Sequence, residues 1–243
     1  MPRKRADQVL VERGVAETRA KAQEAIAAGG VRADGVLVRK PADLIGENAV
    51  LELEKPYPWV SRAGLKLDHA LAAFGVSPAG QTCLDVGAST GGFCDVLLTR
   101  GAARVYAVDV GRDQLHAKLR ADARVVRLEG QDARDLSRRE IAEAPTLITA
   151  DVSFIGLAKA LPAALALAAP SADLIALIKP QFESGPGKRG KTGLIEDAEA
   201  RRIAEAVVES LEGLAGFRAR ELTASPVRGG EGQCEFLLLA QRG

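Results

Sequence analysis

The sequence predicts an α/β protein built on a doubly wound, mostly parallel sheet and preceded by a small α+β module. Three observations carry that prediction. Short apolar runs at 82–86, 104–110, 125–129, 147–152 and 173–178 alternate with mostly helix-like stretches, the pattern of parallel strands joined by crossover helices. Two further runs, 217–224 and 234–240, follow a helix from about 197 to 214 with no helix between them, which predicts an antiparallel strand at the C-terminal end of the sheet. Basic charge is concentrated at the start: residues 1–40 hold nine Lys or Arg against five Asp or Glu, in a chain of net charge +1.

Each element has a local cause. Residues 6–13 and 18–28 read as short helices, the second opened by Thr18 as N-cap, closed by Gly29 and Gly30, and apolar along Ala22, Ala25 and Ile26. Residues 31–38 form a hairpin turning at Asp34-Gly35, a pair that accepts positive φ, and 50–53 alternates like a further strand. Periodicity then stops at Lys55-Pro-Tyr-Pro-Trp-Val, where Pro56 and Pro58 fix φ and bias their predecessors to extended backbone. The expected division is a domain at 1–55, a linker at 56–60 and a second domain at 61–243.

Composition excludes several classes. With 243 residues and 47% hydrophobic content, the chain is too long for a disulfide-stapled mini-protein and too apolar for a disordered one. Cys83, Cys94 and Cys234 cannot pair evenly and contain no Cys-x-x-Cys, so neither a disulfide framework nor a metal site is expected, and a reducing cytoplasm fits best. No apolar run approaches the roughly 18 residues of a membrane span. His69 and His116 lie in charged, helical surroundings and read as surface residues.

The first strand of the second domain runs into Cys83-Leu-Asp-Val-Gly-Ala-Ser-Thr-Gly-Gly-Phe93. Such a loop, opening a helix, lets a nucleotide-type ligand approach backbone N–H groups. Gly87, Ser89, Thr90, Gly91, Gly92 and Phe93 are therefore expected at the cofactor. Asp109 ends the next strand, where a carboxylate can accept both hydroxyls of an adenosine ribose. Asp132 follows the third strand and is expected at the adenine. The spacing Gly87-x-x-x-Gly91-Gly92 is not the Gly-x-Gly-x-x-Gly fingerprint of nicotinamide enzymes. Asp85 just upstream would repel a pyrophosphate but suit a sulfonium or an amino group. S-adenosylmethionine is the expected cofactor.

In an open α/β sheet, ligands bind beyond the carboxyl ends of the strands. Asp151 ends one apolar run there, Lys179 ends another before Pro180, Lys66 sits in a helical stretch ahead of the sheet, and Glu235 begins the final run. A Lys–Asp–Lys–Glu group suits deprotonation of a weakly acidic hydroxyl, because one ammonium can depress the pKa of another while the carboxylates orient both. Read singly, Lys66 and Glu235 are as easily surface residues and Asp151 a helix N-cap.

Arg5-Ala-Asp7, Leu10-Val-x-Arg-Gly14, Thr18-Arg19 and Ile26–Gly35 resemble a small RNA-binding module shared by a small-subunit ribosomal protein and many pseudouridine synthases. Tyr57–Lys66, Asp85–Phe93, Asp109-Val-Gly, Asp151-Val-Ser-Phe and Ile178-Lys-Pro-Gln-Phe-Glu183 resemble successive blocks of the TlyA, or hemolysin-A-like, family of ribosomal-RNA 2′-O-methyltransferases, whose catalytic part is FtsJ-like. The resemblance covers nearly the whole chain. It implies a Rossmann-like methyltransferase sheet, Lys66, Asp151, Lys179 and Glu235 as a catalytic tetrad with Lys179 as base, a cytidine 2′-hydroxyl as acceptor, and ribosomal RNA or ribosomal subunits as partner. Ala63 and Asp34 depart from commoner Gly and Asn without removing a reactive group.

Arg5, Arg19, Lys21 and Arg62, with Lys188 and Arg189 in the glycine-rich stretch after Lys179, are the expected phosphate contacts. A solvated basic face is the competing reading of these charges. Three other functions remain to be weighed: a non-catalytic ribosome-assembly binder, a membrane-active hemolysin, which would need an inserting segment the sequence lacks, and an NAD oxidoreductase.

Overall fold

The computed structural model describes residues 3–27, 29–54, 57–184, 194–229 and 232–243. Lys188, Arg189 and Pro56 fall outside these. The chain divides into two compact units, Met1–Pro58 and Trp59–Gly243.

In the first unit, β1 (Arg3–Arg5) leads into α1 (Ala6–Glu12), followed by α2 (Arg19–Ala27), β2 (Val31–Ala33), β3 (Val36–Leu37), β4 (Leu44–Gly46) and β5 (Leu51–Leu53). Thr18 caps α2, its Oγ1 accepting the Lys21 N–H at 3.2 Å. Asp34 and Gly35 both have positive φ, 52° and 75°, so the β2–β3 hairpin turns where the sequence places it. The β1–β4 pair was not foreseen, because three charged residues in a row carry no strand periodicity. A core of Val9, Leu10, Ile26 and Val31 lies between the two helices and the strands.

The second unit opens with α3 (Ala63–Phe74), then β6 (Thr82–Val86), α4 (Gly92–Thr99), β7 (Arg104–Asp109), α5 (Ala117–Arg120), β8 (Val125–Glu129) and β9 (Leu147–Ala150). It continues through α6 (Leu157–Ala160), α7 (Pro162–Ala166), β10 (Ala172–Ile178), α8 (Pro180–Glu183), α9 (Asp197–Leu211), β11 (Arg218–Ala224) and β12 (Phe236–Arg242). Its seven strands lie in the order β11-β12-β10-β9-β6-β7-β8. The β6, β7, β8, β9 and β10 pairings are parallel, whereas β12 is antiparallel to both β10 and β11. Central strands bury both faces. Along β10, Leu174, Ala176 and Ile178 join the core under α6, α7 and α9, while Ile175 and Leu177 join the core under α3 and α4.

Strand order reverses at β6, which has β7 on one side and β9 on the other. At such a switch point the connections leave in opposite directions and open a crevice beyond the carboxyl ends of the strands. The candidate site lies there.

Candidate active site

A cleft of about 730 Å³ opens at the ends of β6, β7 and β9, floored by Val86 and Val108 and edged by Asp109, Gln131, Asp132 and Asp151. Its size is that of a site for a nucleoside-sized ligand. A smaller cavity of about 150 Å³ adjoins it, sharing Gly87, Ser89, Asp151 and Ser153 and reaching Ser61, Gly92, Phe93 and Lys179.

The glycine loop is held from both sides. Gly87 and Ala88 donate to the Val108 carbonyl at 2.8 and 3.0 Å, and Ser89, at φ 47°, donates its N–H to Asp109 Oδ2 at 2.7 Å. Asp109 Oδ1 accepts the Gly111 N–H, also at 2.7 Å. Each oxygen keeps a lone pair for a further donor, so Asp109 both shapes the loop and can take a ligand. Thr90 lines the smaller cavity.

The glycines do not all serve the ligand. Gly87 has φ 85°, and a Cβ there would lie 2.6 Å from the Asp151 carbonyl oxygen. Gly91, expected at the cofactor, does not line either cavity: its φ is 96° and a Cβ would strike Leu119 at 2.1 Å, so it is a backbone and packing requirement. A Cβ at Gly92 would meet Ser61 Oγ at 2.2 Å, so its absence lets the segment ahead of α3 approach the loop.

Asp85 corrects the sequence expectation. It is fully buried within β6 and lines neither cavity. Its carboxylate accepts from Thr149 Oγ1 at 2.8 Å and Cys94 Sγ at 3.0 Å, and burial pushes its pKa up to about 7. Side chains alternate along a strand, and this position turns under the sheet rather than toward its end. Asp132 does edge the cleft, but Arg134 grips its carboxylate and holds it down to about 2.

The four reactive candidates form two ion pairs. Lys66 on α3 and Glu235 just before β12 meet at 2.5 Å, both buried; neither is the surface residue that each alone suggests. Lys179, at the end of β10, lies 2.5 Å from Asp151 Oδ1. That oxygen receives no hydrogen bond, so the contact is a charge pair rather than a directed bond. Lys179 Nζ instead donates to Ser153 Oγ at 3.0 Å. Register explains the gathering: Ile178 pairs with Phe236, which puts Lys179 and Glu235 one step beyond neighbouring strand ends, and Asp151 follows β9, its N–H on the Val86 carbonyl.

Sequence reasoning gave Ser153 and Phe154 no role. Phe154 is 90% exposed, with φ 67°, at the mouth of the larger cleft; its ring lies 5.0 Å from that of Phe182. Positive φ in an aromatic residue marks a strained loop, which sequence does not reveal. Glu183 holds the same loop by accepting the Leu157 N–H at 2.9 Å. Trp59 packs on Gly64 within its own unit, its ring 2.4 Å from where a Cβ would stand. His116 is half-buried and caps α5 by accepting the Lys118 N–H.

A family model for FtsJ-like methyltransferases matches residues 59–242, and one for the S4 domain matches 4–51. A 16S/23S rRNA (cytidine-2′-O)-methyltransferase TlyA of Mycobacterium tuberculosis is 45% identical over 97% of this chain and 89% of its own. The chain belongs to the TlyA family of FtsJ-like methyltransferases. It is an S-adenosylmethionine-dependent enzyme with an S4 module at its N-terminus. Hemolysin A of Brachyspira hyodysenteriae is 40% identical over 96% of this chain and 98% of its own. The solved structure of a hemolysin candidate from Streptococcus thermophilus superposes with a TM-score of 0.78 at 38% identity, covering 100% of this chain and 89% of that one. Among the described residues, no helix of this TlyA-family chain is long and apolar enough to cross a membrane.

In the S4 module, Asp7 is covered by the groups it binds rather than by depth of core. Arg5 reaches it with two N–H groups at 3.0 Å, Arg19 at 2.8 Å and Gln23 at 2.9 Å. Those donors hold its carboxyl well below the usual range, the Arg5 bonds foremost. The half-buried Lys21 pairs with Glu17, and Arg62 is exposed ahead of α3.

Proposed function

We propose that the chain methylates the 2′-hydroxyl of a cytidine in ribosomal RNA, with Lys179 as base and Lys66, Asp151 and Glu235 completing a tetrad. The observation that carries this reading is the pair of lysine–carboxylate contacts, Lys179 with Asp151 at the strand ends that share the smaller cavity with Gly87, and Lys66 with Glu235 between α3 and the start of β12. The cleft fits the cofactor: Asp109 offers two oxygens to a ribose diol, Gln131 and Asp132 offer polar edges to a purine, and the smaller cavity adjoins at Gly87 and Asp151, beside Lys179. When bound, S-adenosylmethionine supplies an electrophilic methyl on a sulfonium.

This chain's residues then have to bring a hydroxyl into line and remove its proton. Lys179 accepts the proton at Nζ, and the ammonium so formed lies against Asp151. Lys66 is pinned by Glu235 and orients the ribose from the α3 side. Phe154 presents a free ring face at the mouth, suited to stacking a base lifted from its helix. Arg5 and Arg19, fixed by Asp7, hold backbone phosphates without reading sequence.

The test is transfer of tritiated methyl from S-adenosylmethionine to separated ribosomal subunits, with the label mapped by nuclease digestion. Ribose label that disappears in Lys179→Ala, while cofactor binding persists, supports the reading. Base label, or undiminished transfer by Lys179→Ala, overturns it.

A further inference from the structure

A lysine that acts as a base must do more than sit near its substrate. Its side chain has four rotatable bonds, and proton transfer requires the nitrogen within hydrogen-bond reach of the hydroxyl with its lone pair aligned. The charge pair with Asp151 does not supply that alignment. The 2.5 Å contact falls outside hydrogen-bond geometry, and Coulomb attraction between point charges is indifferent to the direction of an N–H bond. Among the described residues, Ser153 Oγ is the one acceptor to which Lys179 Nζ donates a directed bond, at 3.0 Å.

Ser153 is placed for this by the loop it belongs to. It follows Asp151 by two residues, is exposed, and lines both the larger cleft and the smaller cavity. The next residue, Phe154, has φ 67°, and Glu183 secures the far end of the loop through the Leu157 N–H. A strained turn is thus anchored on both sides of a single hydroxyl that faces Lys179.

We propose that Ser153 is a positioning residue for methyl transfer, acting through Lys179: its hydroxyl fixes the direction of Nζ, so that the lone pair left over is the one turned toward the acceptor hydroxyl. When the acceptor O–H bond breaks, its proton forms a new N–H bond on Lys179. The resulting ammonium keeps its bond to Ser153 Oγ, with Asp151 beside it as counter-charge. This inference rests on Lys179 being the base.

The experiment compares wild type, Ser153→Ala, Ser153→Thr, Lys179→Ala and the Ser153→Ala/Lys179→Ala double variant. Single-turnover label transfer is followed over hours so that slow variants are measurable, and affinity for S-adenosylmethionine is read by calorimetry. Ser153→Ala is expected to lower the single-turnover rate constant at saturating RNA by about ten- to a hundredfold, up to the scale of a misplaced reacting group, with the half-saturating RNA concentration and cofactor affinity within about twofold of wild type. Ser153→Thr, which keeps the hydroxyl, is expected to recover most of the rate. The double variant is expected to be no slower than Lys179→Ala, because two residues acting as one unit are not additive.

A Ser153→Ala rate within about twofold of wild type overturns the proposal. So does a double variant slowed by the full Ser153 factor, or a loss of cofactor affinity matching the loss of rate. Lys179→Ala with wild-type turnover removes the base itself, and with it both the proposed function and this inference. Ser153→Ala at wild-type rate beside an inactive Lys179→Ala removes the inference alone.

Discussion

Gly87→Ala tests the geometry of the site through a single methyl group. At this residue a Cβ would stand 2.6 Å from the Asp151 carbonyl oxygen, 2.9 Å from its carbonyl carbon and 3.2 Å from the Val152 nitrogen, where ordinary contact begins near 3.4 Å. The obstacle is backbone, so no flexible side chain can swing aside. Relief requires β9's end to retreat by about 0.8 Å, carrying the Asp151 carboxylate with it. Misplacement on the 1 Å scale costs on the order of 10²-fold in rate. Separately, φ 85° costs a non-glycine residue about 1–2 kcal/mol, which for a unit of this size lowers Tm by about 2–8 °C. Single-turnover methyl transfer at a temperature well below both transitions separates the two effects. A variant that shows the full loss of Tm yet transfers methyl at half the wild-type rate or better would refute the claim that Asp151's placement governs the reaction.

Three further outcomes are expected. Lys66→Met strands the buried Glu235 carboxylate and should destabilise the second unit by about 3–5 kcal/mol, whereas Lys66→Met with Glu235→Met should recover most of that loss while remaining inactive; denaturant unfolding alongside label transfer reads both. Asp85, raised to about 7 by burial, binds its proton more tightly folded than unfolded. Its contribution is therefore fully present below the unfolded pKa near 4 and lost as pH rises through about 7; Asp85→Asn should flatten the decline in Tm between pH 4 and pH 8, and an unchanged slope would count against it. Cys83 and Cys94 are buried, and burial raises both thiols, Cys83 to about 12, so a thiol reagent should label the native protein at Cys234 alone, with the other two reacting only on unfolding.

Much of this molecule is legible in one dimension because its cues are local. Strand and helix periodicity and the positive-φ pair Asp34-Gly35 each act over a few residues, and the observed elements follow them to within one to three residues at most ends. The glycine run after β6 and an acid at the end of β7 were likewise readable, because the loop chemistry demands those residue types at those places. The strand β1 escaped because its charged residues are held by pairing with Leu44–Gly46, a contact some forty residues away.

What the sequence could not decide is where a side chain points and what it meets. Asp85 and Asp109 are both acids on adjacent strands, yet one lies sealed against Thr149 and Cys94 while the other opens to the cleft. That difference comes from the phase of each strand against its neighbours. Gly91 looks like a ligand glycine but answers to Leu119, whereas Gly92 both lines the smaller cavity and makes room for Ser61. Lys66 and Glu235, separated by 169 positions, become partners only because β12 runs back along β10 and brings its first residues under α3. The sequence by itself determined which chemistry is present and on which elements. Packing of those elements decided which groups touch, since burial and pairing are properties of neighbours in space rather than along the chain.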